Sequence, residues 1–291
     1  MRLAVIGDIH GFWDARDTAY FNGSDYDGLL FVGDLPAMTR GGLAVAREIA
    51  RLTKPAWLIP GNHDAVTLPQ LYAEMKGWRL ARQLGAIGMR RRVRRLERTL
   101  GRTRLCGYQL ETLDGELGLL VARPHAMGPD KFYYRAYLKR RYGIADFEAS
   151  ATTLKQLIDS APSRLLVLAH NGPAGLGDAA DAPWGQDFDA ARADFGDPDL
   201  RIAIDYARDS GRQVLAAVAG HMHHRGKSGN ERKSWGYLGK TLCVNAARVA
   251  RIRKKNGHRH HISLEIDGEQ LQAQTVWLDA QGGLVHETAI G

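Results

Sequence analysis

The sequence predicts an α/β fold whose strands deliver polar residues to one edge, and two observations carry that prediction. Apolar runs of strand length alternate with crossover segments through the first sixty residues, the pattern of a parallel sheet covered by helices. Five apolar runs stop at a polar block of Asp, Asn or His, and in open α/β sheets ligands bind beyond the carboxyl ends of the strands.

The elements follow in order. Arg2–Ile6 is a continuous apolar run ended by Gly7, and Gly28–Val32 is a second, ended by Gly33. Leu43–Leu52 carries apolar residues at helical spacing after the Gly41-Gly42 break, and Ala56–Ile59 is a third strand ended by Pro60-Gly61. Leu68, Leu71, Tyr72, Met75 and Trp78 follow i, i+3, i+4, i+7, i+10, which predicts a helix. Met89, Val93, Leu96 and Leu100 predict a second helix with an outer face nearly all arginine. Tyr108–Leu113 and Leu117–Ala122 read as a hairpin turning at Asp114-Gly115-Glu116, and Ala151–Ile158 as a helix. Arg164–Leu168 and Val214–Ala219 resemble the early strands, while Thr241–Asn245, His261–Ile266 and Gln272–Leu278 are expected to close a second sheet. With no internal repeat or long linker, residues 1–291 are read as one domain, with a helical insertion from about Ala65 to Arg104.

Composition narrows the class further. Of 291 residues, 44% are hydrophobic and 25% charged, too apolar for a disordered chain. No apolar run reaches the length of a membrane span. Two cysteines, Cys106 and Cys243, cannot form a disulfide framework. Met1–Ile6 leads directly into Gly7, so the expectation is no cleavable leader, a cytoplasmic location and no membrane partner. The net charge of +8 is concentrated in two segments. One holds Arg90, Arg91, Arg92, Arg94, Arg95, Arg98, Arg102 and Arg104 against Glu97 alone; the other holds Arg248, Arg251, Arg253, Lys254, Lys255 and Arg259. Such a field steers anionic substrates, and nucleic acid is a further candidate partner for the arginine-rich insertion. A merely solvated helix face is the plainer explanation, and the segment lacks aromatic residues for stacking on single strands.

The polar blocks carry the chemistry. They are Gly7-Asp8-Ile9-His10, Gly33-Asp34, Gly61-Asn62-His63-Asp64, His170-Asn171-Gly172 and Gly220-His221-Met222-His223. Carboxylates, an amide and imidazoles together suit divalent transition metals. Taken singly, a histidine after a strand is more often a satisfied core or surface residue. Five such blocks in this order resemble the calcineurin-like metallophosphoesterases, whose pattern is D-x-H, GD, GNH[DE], a lone H and GHxH. The GNHD block is the most specific of the five.

The resemblance implies a sandwich of two mixed β-sheets flanked by helices, with the insertion near the active site. It implies two divalent ions, manganese first, with iron or zinc as alternatives. Asp8, His10 and His223 would hold the first ion, Asn62, His170 and His221 the second, and Asp34 would bridge them. A hydroxide between the ions would attack phosphorus. His63 would protonate the leaving alkoxide, and Asp64 would orient His63. The implied activity is phosphoester hydrolysis. A phosphatase acting on a phosphorylated small molecule or phosphoprotein is the first reading, and a phosphodiesterase or nuclease the second. A non-catalytic scaffold of this fold would typically have lost ligands, and none is missing here.

Two features depart from tempting patterns. The GDxxDRG block of the serine/threonine phosphatase branch is absent, since Leu35-Pro36-Ala37-Met38-Thr39-Arg40-Gly41 follows Asp34; Arg40 is a candidate phosphate contact. Gly226-Lys227-Ser228 and Gly239-Lys240-Thr241 mimic a P-loop, but His221 and Ser234 stand where its first glycine belongs.

Overall fold

A computed structural model of the chain describes residues 1–37, 41–188, 193–226, 229 and 231–291, so Arg40, Lys227 and Ser228 lie outside the described residues. The amino-terminal part runs β1 (Arg2–Ile6), α1 (Ala15–Gly23), β2 (Gly28–Phe31), α2 (Gly42–Ile49) and β3 (Ala56–Leu58). The insertion follows as α3 (Leu68–Lys76) and α4 (Arg79–Thr99), then β4 (Arg104–Leu105). Next come β5 (Gln109–Asp114), β6 (Leu117–Val121), α5 (Arg135–Tyr142), α6 (Phe147–Asp159), β7 (Arg164–Asn171), α7 (Pro198–Asp209) and β8 (Gln213–Gly220). The chain ends with β9 (Trp235–Leu238), β10 (Thr241–Asn245), β11 (Arg259–Asp267), β12 (Gln270–Leu278) and β13 (Leu284–Ile290).

The strands form two mixed sheets, one ordered β13-β12-β11-β1-β2-β3-β4 and the other β5-β6-β7-β8-β10-β9. Side chains alternate across each strand. In β1, Leu3 and Val5 point between the sheets with Leu166, Leu168 and Val218, while Ala4 and Ile6 face the helical layer with Phe21, Val45 and Ile49. On the far side, Val167 and Ala217 pack under Leu154 and Ile158 of α6 and Ile204 of α7. The result is a helix–sheet–sheet–helix sandwich.

Two expectations need correction, and one helix is oriented against its own pattern. First, β11 and β12 do not close the second sheet: β11 pairs antiparallel with β1, from Arg2 opposite Glu265 to Val5 opposite Ile262, and extends the first. Likewise β1, β2 and β3 lie in one sheet and β7 and β8 in the other. Strands buried on both faces read alike as apolar runs, so periodicity could not assign them to a sheet.

Second, the helix expected from Leu68 onward forms as α3, but its apolar stripe faces outward apart from Leu71, which packs on the core. Leu68 is 72% exposed, and Tyr72, Met75 and Trp78 are about half exposed, whereas Gln70, Ala73 and Glu74 are buried. Polar contacts hold α3 in this orientation. Arg82 pairs with Glu74 at 2.8 Å, Arg92 donates to Gln70, and Gln70 Nε2 reaches the Met89 sulfur at 3.1 Å. By contrast, the stripe expected of α4 does pack inward, with Met89, Val93, Leu96 and Leu100 all buried.

Third, the basic cluster after Arg248 is not all available to a partner. Arg251 and Arg259 are buried and share Asp17, at 2.9 and 2.6 Å, with Asp14 also bound by Arg259. They brace α1 against β11.

Arg123, just past β6, ties the second sheet to α7. Its buried guanidinium pairs with Asp197 at 2.8 Å and Asp199 at 2.9 Å beneath the rings of Phe132 and Phe147. Removing one side of such a buried array leaves uncompensated charge. Arg123→Met is therefore expected to lower unfolding free energy by about 3–5 kcal/mol in urea titrations; an unchanged midpoint would exclude this role.

Candidate metal centre

The polar blocks meet where the carboxyl ends of β1, β2 and β3 face those of β7 and β8. Chain geometry is tight there. A Cβ on Gly61 would lie 2.2 Å from Asp34 Oδ1, and one on Gly220 would lie 2.1 Å from Asp8 Oδ1. Three site residues hold left-handed backbone, His10 at φ +39°, Asp34 at +53° and His221 at +70°. Such a conformation costs on the order of 1–3 kcal/mol each and persists only where surrounding structure enforces it.

Two donor clusters result. Asp8, His10 and His223 form one, and Asp34, His170 and His221 the other, each with its ligand atoms within 4.8 Å of one another. In the first, His10 Nε2 and His223 Nε2 stand 3.1 Å apart, and His223 Nε2 is 3.4 Å from Asp8 Oδ2. In the second, Asn62 Oδ1 lies 2.9 Å from His170 Nε2 and 3.0 Å from His221 Nδ1. Asp34 Oδ2 is 3.7 Å from both His10 Nε2 and His170 Nε2, between the clusters.

Backbone carbonyls fix the rings. His10 Nδ1 donates to Pro36 O at 3.1 Å and His170 Nδ1 to Val32 O at 2.6 Å, leaving each Nε2 lone pair toward the cluster. The donors charge one another. Burial alone would raise the Asp8 carboxyl, but His223 and His170 hold it below its usual range. Burial also opposes charge on His170, but Asp34 and Asp8 outweigh it and raise its pKa. His221 is pushed down to about 3 by burial and by His170, so it stays a neutral imidazole.

The donor set fits divalent ions. Nearest-neighbour spacings of 2.9–3.7 Å are close to the edges of about 2.8–3.6 Å that octahedral or tetrahedral bonds of about 2.0–2.2 Å produce. The mixture of imidazole and oxygen suits manganese, iron or zinc.

His63 stands apart from both clusters. Its ring lies 5.5 Å from that of His10, its backbone N–H donates to Asp34 Oδ1 at 2.9 Å, and it borders two cavities. Asp64 does not orient the His63 ring, contrary to expectation. Its buried carboxylate accepts N–H bonds from Gly61 at 2.8 Å, Asp34 at 2.8 Å and Leu35 at 2.9 Å. Burial, with Asp34 nearby, pushes its carboxyl up to about 7. It organises backbone rather than an imidazole.

A sequence model of the calcineurin-like phosphoesterases matches residues 1–225, ending just past His223. The chain belongs to that family. The calcineurin-like phosphoesterases use divalent metal ions to hydrolyse phosphoesters, and the two-sheet architecture is theirs. No curated protein matches the sequence. Among solved structures, TT1561 of Thermus thermophilus aligns with 94% of this chain and 97% of its own at 13% identity, TM-score 0.50. The Mycobacterium tuberculosis phosphopantetheinyl hydrolase aligns with 84% of this chain and 87% of its own at 15% identity, TM-score 0.43. Among the described residues, no helix is long and apolar enough to cross a membrane.

Two residues that brace this calcineurin-like site were given no part in it by the sequence reading, His125 having been assigned no ligand role. His125 Nδ1 donates to Gly61 O at 2.8 Å, and the buried Tyr134 hydroxyl donates to Asn62 O at 2.7 Å. Both brace the loop carrying Asn62. The signal was present: β6 is a further apolar run followed by polar residues, Arg123-Pro124-His125. Asp64→Ala would orphan three buried N–H groups at about 1–3 kcal/mol each. It is expected to destabilise the protein and to weaken metal uptake, read by thermal unfolding and metal analysis. A stable variant with full metal content would exclude the organising role.

Proposed function

We propose that the protein is a phosphatase that hydrolyses a small-molecule phosphomonoester at a two-ion centre. The observation that carries the reading is Asp34 Oδ2, equidistant at 3.7 Å from a nitrogen of each donor cluster. One carboxylate placed there would serve two ions. Asp8, His10 and His223 would hold one ion, and Asn62, His170 and His221 the other. When bound, such a pair supplies a nucleophile active at neutral pH and neutralises charge on the phosphoryl oxygens.

The chain's own groups do the rest. His63, at the cleft rim and outside both clusters, donates a proton to the departing alkoxide. A cavity of about 680 Å³ receives the alcohol portion, walled by Leu71, Met75, Met127, Phe188 and Phe195. Lys131 and Arg225 stand at its edge, whereas Arg232 is engaged by Asp187 and by backbone carbonyls. The cleft's largely apolar walls suit a small organic alcohol better than the charged backbone of a nucleic acid. Arg90, Arg91, Arg94, Arg95 and Arg98 of α4 line a separate groove that shares no residue with this cleft. A phosphodiesterase would use the same centre, and a scan of monoesters, diesters and nucleic acids with added manganese separates the two; faster turnover of diesters would replace the monoester reading.

Chelation is expected to abolish hydrolysis, and Asp34→Asn to reduce the bound metal at both sites together; activity in metal-free buffer would overturn the proposal. His63→Ala is expected to slow turnover about 10²–10⁴-fold on alkyl phosphates, with much less loss on nitrophenyl phosphate. An equal loss on both would give His63 a binding role instead.

A further inference from the structure

The groove on the outer face of α4 shares no residue with the cleft beside His63, and the insertion combines two features rarely left in water together. Seven of the thirteen large hydrophobics exposed among the described residues lie between 68 and 87. On α4, Leu80, Leu84 and Ile87 are 78%, 69% and 64% exposed. Arg91, Arg94 and Arg98 continue the same spacing, i, i+4, i+7, i+11, i+14 and i+18 from Leu80. At about 3.6 residues per turn, the six form one stripe along a helix about 30 Å long, aliphatic at its start and cationic at its end. Arg90 and Arg95 flank the stripe, and the five arginines with Ile87 line a groove of about 560 Å³. None of these five guanidiniums forms an ion pair among the described residues, although Arg82 and Arg104 on either side do. Beside the aliphatic end, Tyr72 of α3 and Trp78 pack edge to face at 5.4 Å, both about half exposed.

We propose that α3 and α4 dock the protein on an anionic lipid bilayer, with the aliphatic end in the acyl boundary and the arginines on headgroup phosphates. The charge pattern selects this occupant. In a symmetric pair of these chains, α4 packed antiparallel would set aliphatic side chains against arginines, and packed parallel would set arginine against arginine. Nucleic acid would satisfy the arginines but leave Leu80, Leu84 and Ile87 in water. A bilayer surface offers both phosphates and hydrocarbon, and Trp and Tyr rings prefer its interface. This revises the expectation of no membrane partner. The docked face adjoins the catalytic cleft, since Leu68 and Met75 belong both to the exposed patch and to the cavities beside His63. Docking does not depend on the phosphatase reading, and its test needs no substrate.

The test is co-sedimentation of the full chain with vesicles of phosphatidylcholine alone or mixed with phosphatidylglycerol. Binding is expected only to the mixed vesicles and is expected to weaken with salt. Replacing Arg91, Arg94, Arg95 and Arg98 with Gln should weaken it by about 10²-fold or more, at about fivefold per cation, while replacing them with Lys should keep it within a few-fold. L80S/L84S/I87S should weaken binding at least about tenfold with all charges present. Thermal unfolding in solution serves as the folding control and should be unchanged in every variant. Equal binding to neutral vesicles, no binding to either kind, or an aliphatic variant as tight as the parent would overturn the proposal. So would duplex DNA binding through the arginines that the aliphatic variant retains in full, in the absence of vesicle binding.

Discussion

The Asp64 carboxylate is the constraint on which the centre depends. By accepting N–H bonds from Gly61, Asp34 and Leu35 it staples the turn after β3 to the turn after β2. Those turns carry Asn62 and Asp34, donors from different strands that must meet. The staple lies under the site, out of water, and has no cation of its own among the described residues. Its three donors are fixed by backbone, so the loops inherit a single geometry. His125 and Tyr134 complete it from the other side by taking up the carbonyls of Gly61 and Asn62.

Convergence of the two sheets is the second requirement. Asp8 from one sheet accepts the His221 N–H from the other, with Gly220 giving the approach its room. The left-handed backbone at His10, Asp34 and His221 is the local expense of turning side chains inward from strand ends. The apolar sandwich beneath and the Arg123–Asp197–Asp199 array beside it supply the rigidity that holds those turns.

Much of this was legible in the sequence because strand ends announce themselves: an apolar run stopped by Gly and a polar residue marks both a strand and what it presents. The five blocks therefore picked out, without a structure, side chains that the fold brings together. Sheet membership was not legible, because Ile262 and Leu264 of β11 look the same whether they pair with β1 or with β10. The orientation of α3 was hidden for a different reason. Its hydrophobic spacing favours inward packing, but Gln70 and Glu74 find Arg92 and Arg82 on α4, contacts that no periodicity records. The same holds for Asp64: a carboxylate beside a histidine suggests a side-chain pair, and only the fold reveals three waiting N–H groups.

The donor clusters differ in how far they lie from solvent. His170 is wholly buried, whereas the His223 side chain is 40% exposed. An ion held by His223 would therefore have the more open path for water and competing ligands. Asn62 and His221 line the same cleft as His223, so the second position would be reached from that cleft as well. Exchange would be quicker at the first position than at the second, and a preparation's last buffer would leave its mark more on one than on the other.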